Sequence, residues 1–288
     1  MQQIVHNNTK LLTFPKEWID EIDHAMDIIS NNKELTDFFF NTSALISESA
    51  HPELFEYLTD GGETGGIPHT MWALVCVLHA LEGAKGHYLK KGIPLNVFLD
   101  TMRDIYIWTK EWHDTMGAVG LFEIGWLLRH IDLHIFRLGR LEFEMIYSDF
   151  DSEQHGIEEG SALITVHIPK DGRLDTEECM ESYAKAKEFF KTYYADYQYE
   201  AFICHSWLLD PRLKTFLNEN SNIINFQNQY QIIRIDDGPK EVMMFVFQIN
   251  RAFDADLEKL NAETTLEKGV LDYMKSGGML GAGLGILK

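Results

Sequence analysis

The chain has 288 residues, 45% of them hydrophobic and 12% aromatic, so it exceeds one typical domain, can bury a sizeable core and is not a disordered composition. A formal net charge of −20 repels nucleic acid and anionic membrane surfaces, because binding either needs a clustered Lys and Arg surface. Cys76, Cys179 and Cys204 are odd in number, far apart and free of any CxxC pair. They indicate neither a disulfide framework nor a thiolate zinc site, and they fit a reducing cytoplasm.

The opening MQQIVHNNTKLLTF lacks an apolar signal core, and no uncharged apolar run is long enough for a bilayer. A soluble, cytoplasmic protein with no membrane partner is expected. PKEWIDEIDHAMDIIS then places Trp18, Ile19, Ile22, Met26 and Ile29 on one stripe, the mark of an amphipathic helix. DGGETGGIP (Asp60 to Pro68) is a turn-rich break. HTMWALVCVLHALEGAKGHYLKKG reads as a long buried helix. PLNVFLDTMRDIYIWTKEWHDTMG and AVGLFEIGWLLRHIDLHIF add two more, so residues 1–136 are expected to be all-helical with no clear strand.

The period changes near Arg137. RLGRLEFEMIYSD alternates Leu141, Phe143 and Met145 with Glu142 and Glu144, which suits a half-buried strand, and SALITVHIP is a second strand. KDGR is turn chemistry. The helix DTEECMESYAKAKEFFKTYY buries Cys179, Tyr183, Ala186, Phe190 and Tyr193, and YEAFICHSWLLDP returns a strand. PRLKTFLNENSNIINF is a short helix pair or broken helix. YQIIRIDD and EVMMFVFQIN flank the turn DDGPKE and predict a hairpin. TTLEKGVLDYMKSGG is a helix, capped near Gly277 or Gly278, ahead of a Gly-rich tail that is packed or flexible. Strand–helix–strand between Leu163 and His205 implies a parallel crossover, hence a mixed, partly open sheet with helices on its faces over residues 137–288.

In open α/β sheets ligands sit at the carboxyl ends of strands, which here carry His167 on one strand and Cys204, His205 and Ser206 on the other. Cys204 is also a natural core residue, and Ser206 can cap the following turn. Ser206 and His205 are neighbours on a strand and face opposite ways, so a hydrolytic arrangement would need His167 with Ser206 or Cys204. Glu144 or Glu142 becomes a general base if its face is covered; solvent-exposed strand glutamates are the plainer expectation. HIDLH (His130 to His134) has metal-ligand spacing on a helix, but a helical surface is the plainer reading and no metal is expected. Arg137 and Arg140 suit an anion or, more simply, nearby acids. The glycines of SGGMLGAGLGILK follow a helix instead of opening one, so they fail as a dinucleotide fingerprint.

The segments FRLGRLEFE, VHIPKDGRL, FFKTYY, FICHSWLLDPRLKTFL, ENSNIINFQ and SGGMLGAGLGILK resemble the GNAT-like C-terminal domain of a group of acyltransferases of anaerobic gut-type bacteria. The first half resembles the helical domain that accompanies it. The fold class that this resemblance implies is α+β: an all-helical N-terminal domain (1–136) followed by a GNAT-like mixed-sheet domain (137–288). It implies acyl-CoA or acetyl-CoA as co-substrate, wedged where two parallel strands splay. The backbone of Ile164, Val166 and Ile168 would meet the pantetheine, and Lys170, Asp171, Gly172, Arg173 and Leu174 the pyrophosphate. His205, His167, Glu144 and Ser206 would be the catalytic candidates, acting on a small-molecule acceptor. The loop KDGRLDTEEC departs from the GNAT signature Arg/Gln-x-x-Gly-x-Gly/Ala, since it holds one glycine and crowds the helix start with Asp175, Glu177 and Glu178. A GNAT-like module that binds a ligand or a protein without catalysis is therefore the alternative. Homo-oligomerisation stays open.

Overall fold

The computed structural model describes residues 1–47, 56–248 and 256–288. The chain forms two compact units, Met1–Leu138 with Pro169–Asp171, and Gly139–Ile168 with Gly172–Lys288.

The first unit is built on helices. α1 (Gln2–Leu11), α2 (Lys16–Ser30) and α3 (Lys33–Ser47) pack against α4 (His69–Lys90). In the first half of α4, Met71 through Leu78 are all buried, which is why that stretch shows no polar stripe. Two details differ from the helical expectation. PLNVFLDTMRDIYIWTKEWHDTMG folds as two helices, α5 (Leu95–Met102) and α6 (Asp104–Met116), and α6 ends at Gly117 in the left-handed region (φ +70°). α7 spans only Ile124–Ile131; the following residues leave the helix, Leu133 takes φ +60°, and Ile135–Arg137 forms a strand, β1. A two-residue hairpin, Glu63–Thr64 with Ile67–Pro68, occupies the turn-rich break.

The second unit carries β2 (Glu142–Tyr147), β3 (Ala162–His167), α8 (Thr176–Tyr193), β4 (Ala201–Ser206), α9 (Asn222–Gln227), β5 (Tyr230–Asp237), α10 (Lys240–Phe247), α11 (Thr265–Lys275) and β6 (Gly281–Leu287). Its strands lie in the order β2, β3, β4, β6, β5, and only β3 and β4 run parallel. One face of this sheet sets Phe143 and Phe202 against Tyr183 of α8, whose hydroxyl bonds that of Tyr230 at 2.8 Å. The other face gathers Leu163, Ile203, Leu284 and Ile286 around Ile157, with Phe150 packed beside them.

Two expectations fail here. Lys240–Phe247 is helical, so the predicted hairpin does not exist; a short apolar run does not distinguish strand from buried helix, and Pro239 stands at its N-cap. Ile249 and Asn250 of that prediction lie outside the described residues. The Gly-rich tail is a strand inserted between β4 and β5, and Gly277 (φ +90°) ends the helix before it. Its glycines are needed for space. A Cβ on Gly283 would stand 2.5 Å from the Leu209 carbonyl oxygen, and one on Gly281 would stand 2.2 Å from that of Asp236. Asp210, fully buried, locks this corner by accepting from Gly281 N–H (2.7 Å) and pairing with Arg212 (2.7 Å).

Gly283→Ala should therefore destabilise the protein by about 3 kcal/mol in a urea titration, since backbone cannot yield as a side chain does. Gly86→Ala, in open space on α4, should stabilise it by about 0.5–1 kcal/mol.

Candidate functional site

The second unit has one interruption among its parallel pairings. β3 and β4 pair at Leu163–Ala201, Ile164–Phe202 and Thr165–Ile203, and the ladder stops there. Both strands continue, each with its outer neighbour. Val166 and His167 stay opposite Phe143 and Glu142 of β2, while Cys204, His205 and Ser206 stay opposite Gly285, Leu284 and Gly283 of β6. Two parallel strands thus part at their carboxyl ends and leave a wedge between backbone edges that can hydrogen-bond a ligand.

Residue parity decides what faces the wedge. Register partners share a face, so His167 and His205, each two residues past the last pair, lie on the same side of the sheet as Glu144. Each imidazole has a carboxylate. His167 Nε2 lies 2.8 Å from Glu144 Oε2, and His205 Nε2 lies 3.0 Å from Asp236 Oδ2 on β5. Glu144 and Glu142 are both buried (5% and 1% exposed), so the plainer expectation of solvent-exposed glutamates is overturned. A buried carboxylate bonded to an imidazole is an arrangement that can take up a proton. Burial works against ionisation of Asp236, but Arg234 and then His205 outweigh it and hold its carboxyl below the ordinary value.

Cys204 and Ser206 lie on the opposite face, so His167 reaches neither. Cys204 is fully buried and burial pushes its thiol far up. Ser206 Oγ accepts from Leu208 N–H and caps the next turn. A hydrolytic triad on these residues is excluded by register, and Ser206 takes a structural place.

The loop after β3 divides its residues. Lys170 pairs with Glu111 (2.6 Å), and Asp171 is gripped by Arg137 (2.8 and 3.0 Å) and Arg103 (3.0 Å), all within the first unit. Desolvation raises Asp171, yet the two guanidinium groups prevail and hold it below its ordinary value. In the second unit Arg140, mostly buried, donates from Nε to the Arg173 carbonyl (2.6 Å) and from Nη2 to the Gly172 carbonyl (2.7 Å). Every peptide here is trans, so the N–H groups of Arg173 and Leu174 point away from Arg140. They form a pair of donors turned away from Arg140 beside the exposed Arg173 side chain, an arrangement suited to an anion. Sequence reasoning gave Arg140 to nearby acids and missed this role, which depends on carbonyls that only the folded loop brings to it. Asp175 caps α8 by accepting from the N–H of Glu177 and Glu178, so those donors are already occupied.

HIDLH does not present two imidazoles on one helical face. The helix stops at Ile131, His130 is buried with Nδ1 against the Trp126 carbonyl (3.2 Å), and His134 is exposed beyond the turn.

A family model described as the GNAT-like C-terminal domain matches residues 135–287, and one described as the N-acyltransferase N-terminal domain matches residues 6–133. Several solved structures share the fold, among them three acyltransferase complexes. An acyltransferase in complex with decanoyl-CoA and teicoplanin is 22% identical over 97% of this chain and 86% of its own, with a TM-score of 0.79. An acyltransferase in complex with decanoyl-CoA is 21% identical over 96% and 85%, with a TM-score of 0.76. An acyltransferase in complex with CoA and 10C-teicoplanin is 19% identical over 99% of both chains, with a TM-score of 0.68. No curated protein matches.

Burial pushes the Cys76 thiol up to about 12 and the Cys179 thiol up to about 11, as it does Cys204. Iodoacetamide at pH 8 should label none of the three in the native protein and all three in urea, read by mass spectrometry. Asp171 should make its contribution to stability at neutral pH and lose it on acidification, because its folded value lies below the unfolded one. The stability difference between the protein and Asp171→Asn should be full at pH 7 and narrow as the pH falls below about 4.

Proposed function

Because the chain belongs to the family defined by the GNAT-like C-terminal domain, we propose that it transfers an acyl group from an acyl-CoA to a nucleophilic small-molecule acceptor, with an amine as the first choice. One observation carries the reading: the parallel ladder ends at Thr165–Ile203 while both strands run on. The pantetheine arm fits that wedge, its amides meeting the backbone of Val166 and Ile168 as an added strand would, whereas Ile164 is still paired with Phe202 and drops out of the expected set. The pyrophosphate fits the N–H groups of Arg173 and Leu174 beside Gly172 and the Arg173 side chain. Lys170 and Asp171 then serve to fix the loop in the first unit. A residue with a Cβ at Gly172 would meet Arg140 Nε at 3.3 Å, so the single glycine of this loop lets Arg140 hold it.

CoA in this site supplies an activated thioester and no more. The chain supplies orientation and proton movement. The acceptor amine attacks the thioester carbonyl, and Glu144, acting with His167, takes its proton. Glu144 is buried and His167, partly exposed, is bonded to it at 2.8 Å on the face that His205 shares. Relatives in complex with decanoyl-CoA and with teicoplanin favour a medium-chain donor and an acceptor of small-molecule size. We also place the protein in a bacterial cytoplasm, where three free, buried thiols stay reduced, and we read residues 1–136 and 137–288 as its two domains.

Decanoyl-CoA, CoA and acetyl-CoA should each raise the midpoint of thermal unfolding, and ligand at 100 times its Kd adds about 2.7 kcal/mol of stability. No shift at millimolar ligand would leave the non-catalytic module as the better reading. Glu144→Gln should leave that shift intact and cut transfer of the decanoyl group to a primary-amine panel about 100-fold. Arg140→Lys keeps the charge but loses the fork, and should weaken CoA binding about tenfold with little change in kcat at saturation.

A further inference from the structure

The His205–Asp236 pair is not used by the base step, and its place is the mirror of the pair that is. His167 ends one arm of the wedge and His205 stands at the equivalent register position on the other, both on one face of the sheet. The route from His205 to its carboxylate crosses a whole strand. β6 lies between β4 and β5, and it presents Ala282 at the register position opposite Asp236. The small side chain leaves room for the imidazole and the carboxylate to meet. Asp236 is in turn held by Arg234 Nε (3.0 and 3.1 Å), so three residues form a chain Arg234–Asp236–His205. A carboxylate accepts only, so His205 Nε2 must donate to it, and Nδ1 has no partner among the described residues. An imidazole with Nε2 fixed by a carboxylate and Nδ1 uncommitted is set to hold and release a proton at Nδ1.

We propose that His205 is the general acid of the transfer: Nδ1–H gives its proton to the departing CoA sulfur, with Asp236 as the positioning residue that fixes the ring. This rests on the acyltransferase reading. The steps balance. The amine nitrogen bonds to the carbonyl carbon, and Glu144 with His167 takes the N–H proton. The C–S bond then breaks, its electron pair goes to sulfur, and the His205 proton makes the free thiol. The carbonyl reforms in the amide, and His205 regains a proton from solvent. Without that proton the leaving group is a thiolate whose conjugate thiol has a pKa near ~8.5, and its departure is slowed at neutral pH.

A donor whose leaving group needs no proton separates this role from a structural one. Decanoyl-CoA is compared with its selenium analogue, decanoyl-seleno-CoA, whose selenolate leaves unprotonated. The acceptor probe is ethanolamine, and release of the free CoA or seleno-CoA is followed for the full chain. His205→Ala should lower kcat/KM for the thioester about 100-fold and leave the selenoester within about threefold of the unmodified protein. Glu144→Gln should lower both donors alike, since it acts on the nucleophile. Asp236→Asn, which keeps the imidazole, should show the same donor selectivity as His205→Ala at smaller size. Equal loss on both donors in His205→Ala, or no loss on either, overturns the assignment. Absence of turnover with both donors in the unmodified chain removes the acyltransferase reading, and this one with it. Turnover in that chain with uniform loss in His205→Ala removes only the present assignment.

Discussion

Two parallel strands share three residue pairs and then each keeps a better partner. β3 stays laddered to β2 through His167, and β4 stays laddered to β6 through Ser206. Antiparallel pairing is the slightly stronger geometry, and both outer ladders win where the two strands diverge. The candidate site of the second unit follows from that competition. The wedge exposes backbone edges, sets His167 and His205 on opposite arms, and turns their side chains to one face.

The competition can be sustained only if β6 lies deep in the sheet. A strand with side chains on both faces would not fit beneath Leu209 and against the end of β5, so the face toward them is glycine at 281, 283 and 285. The loss of packing is offset by backbone hydrogen bonds and by Asp210, which holds Gly281 and Arg212 in a buried corner. The same strand then gives His205 its carboxylate, because Ala282 on its other face is small. One segment thus serves the fold on one face and the site on the other.

Much of this was legible in the sequence, for identifiable reasons. Strong periods marked β2, β3, β4 and α8, and the polar ends of β3 and β4 pointed to the edge where these two strands stop pairing. Parity alone ruled out a Ser206–His205 pair. What stayed hidden depends on contacts distant in sequence. The Gly-rich tail does alternate, Ala282, Leu284 and Ile286 against Gly281, Gly283 and Gly285, but glycine is depleted in strands and so its composition reads as a loop. VMMFVF (Val242 to Phe247) is apolar throughout, and neither period distinguishes it. The Asp236 partner of His205 is 31 residues away and two strands over. The Arg140 grip on Gly172 and Arg173 joins a side chain to main-chain carbonyls, which no residue pattern encodes.

The central claim is that an acyl-CoA binds along the backbone where β3 and β4 part. Hydrogen–deuterium exchange with and without saturating decanoyl-CoA tests it most directly, because the expected contacts are made by amides. The account predicts slower exchange in peptides covering Val166–Ile168 and Arg173–Leu174, with little change in α9 or at the β5–β6 ladder. Binding that protects other segments and leaves these two unchanged would contradict it.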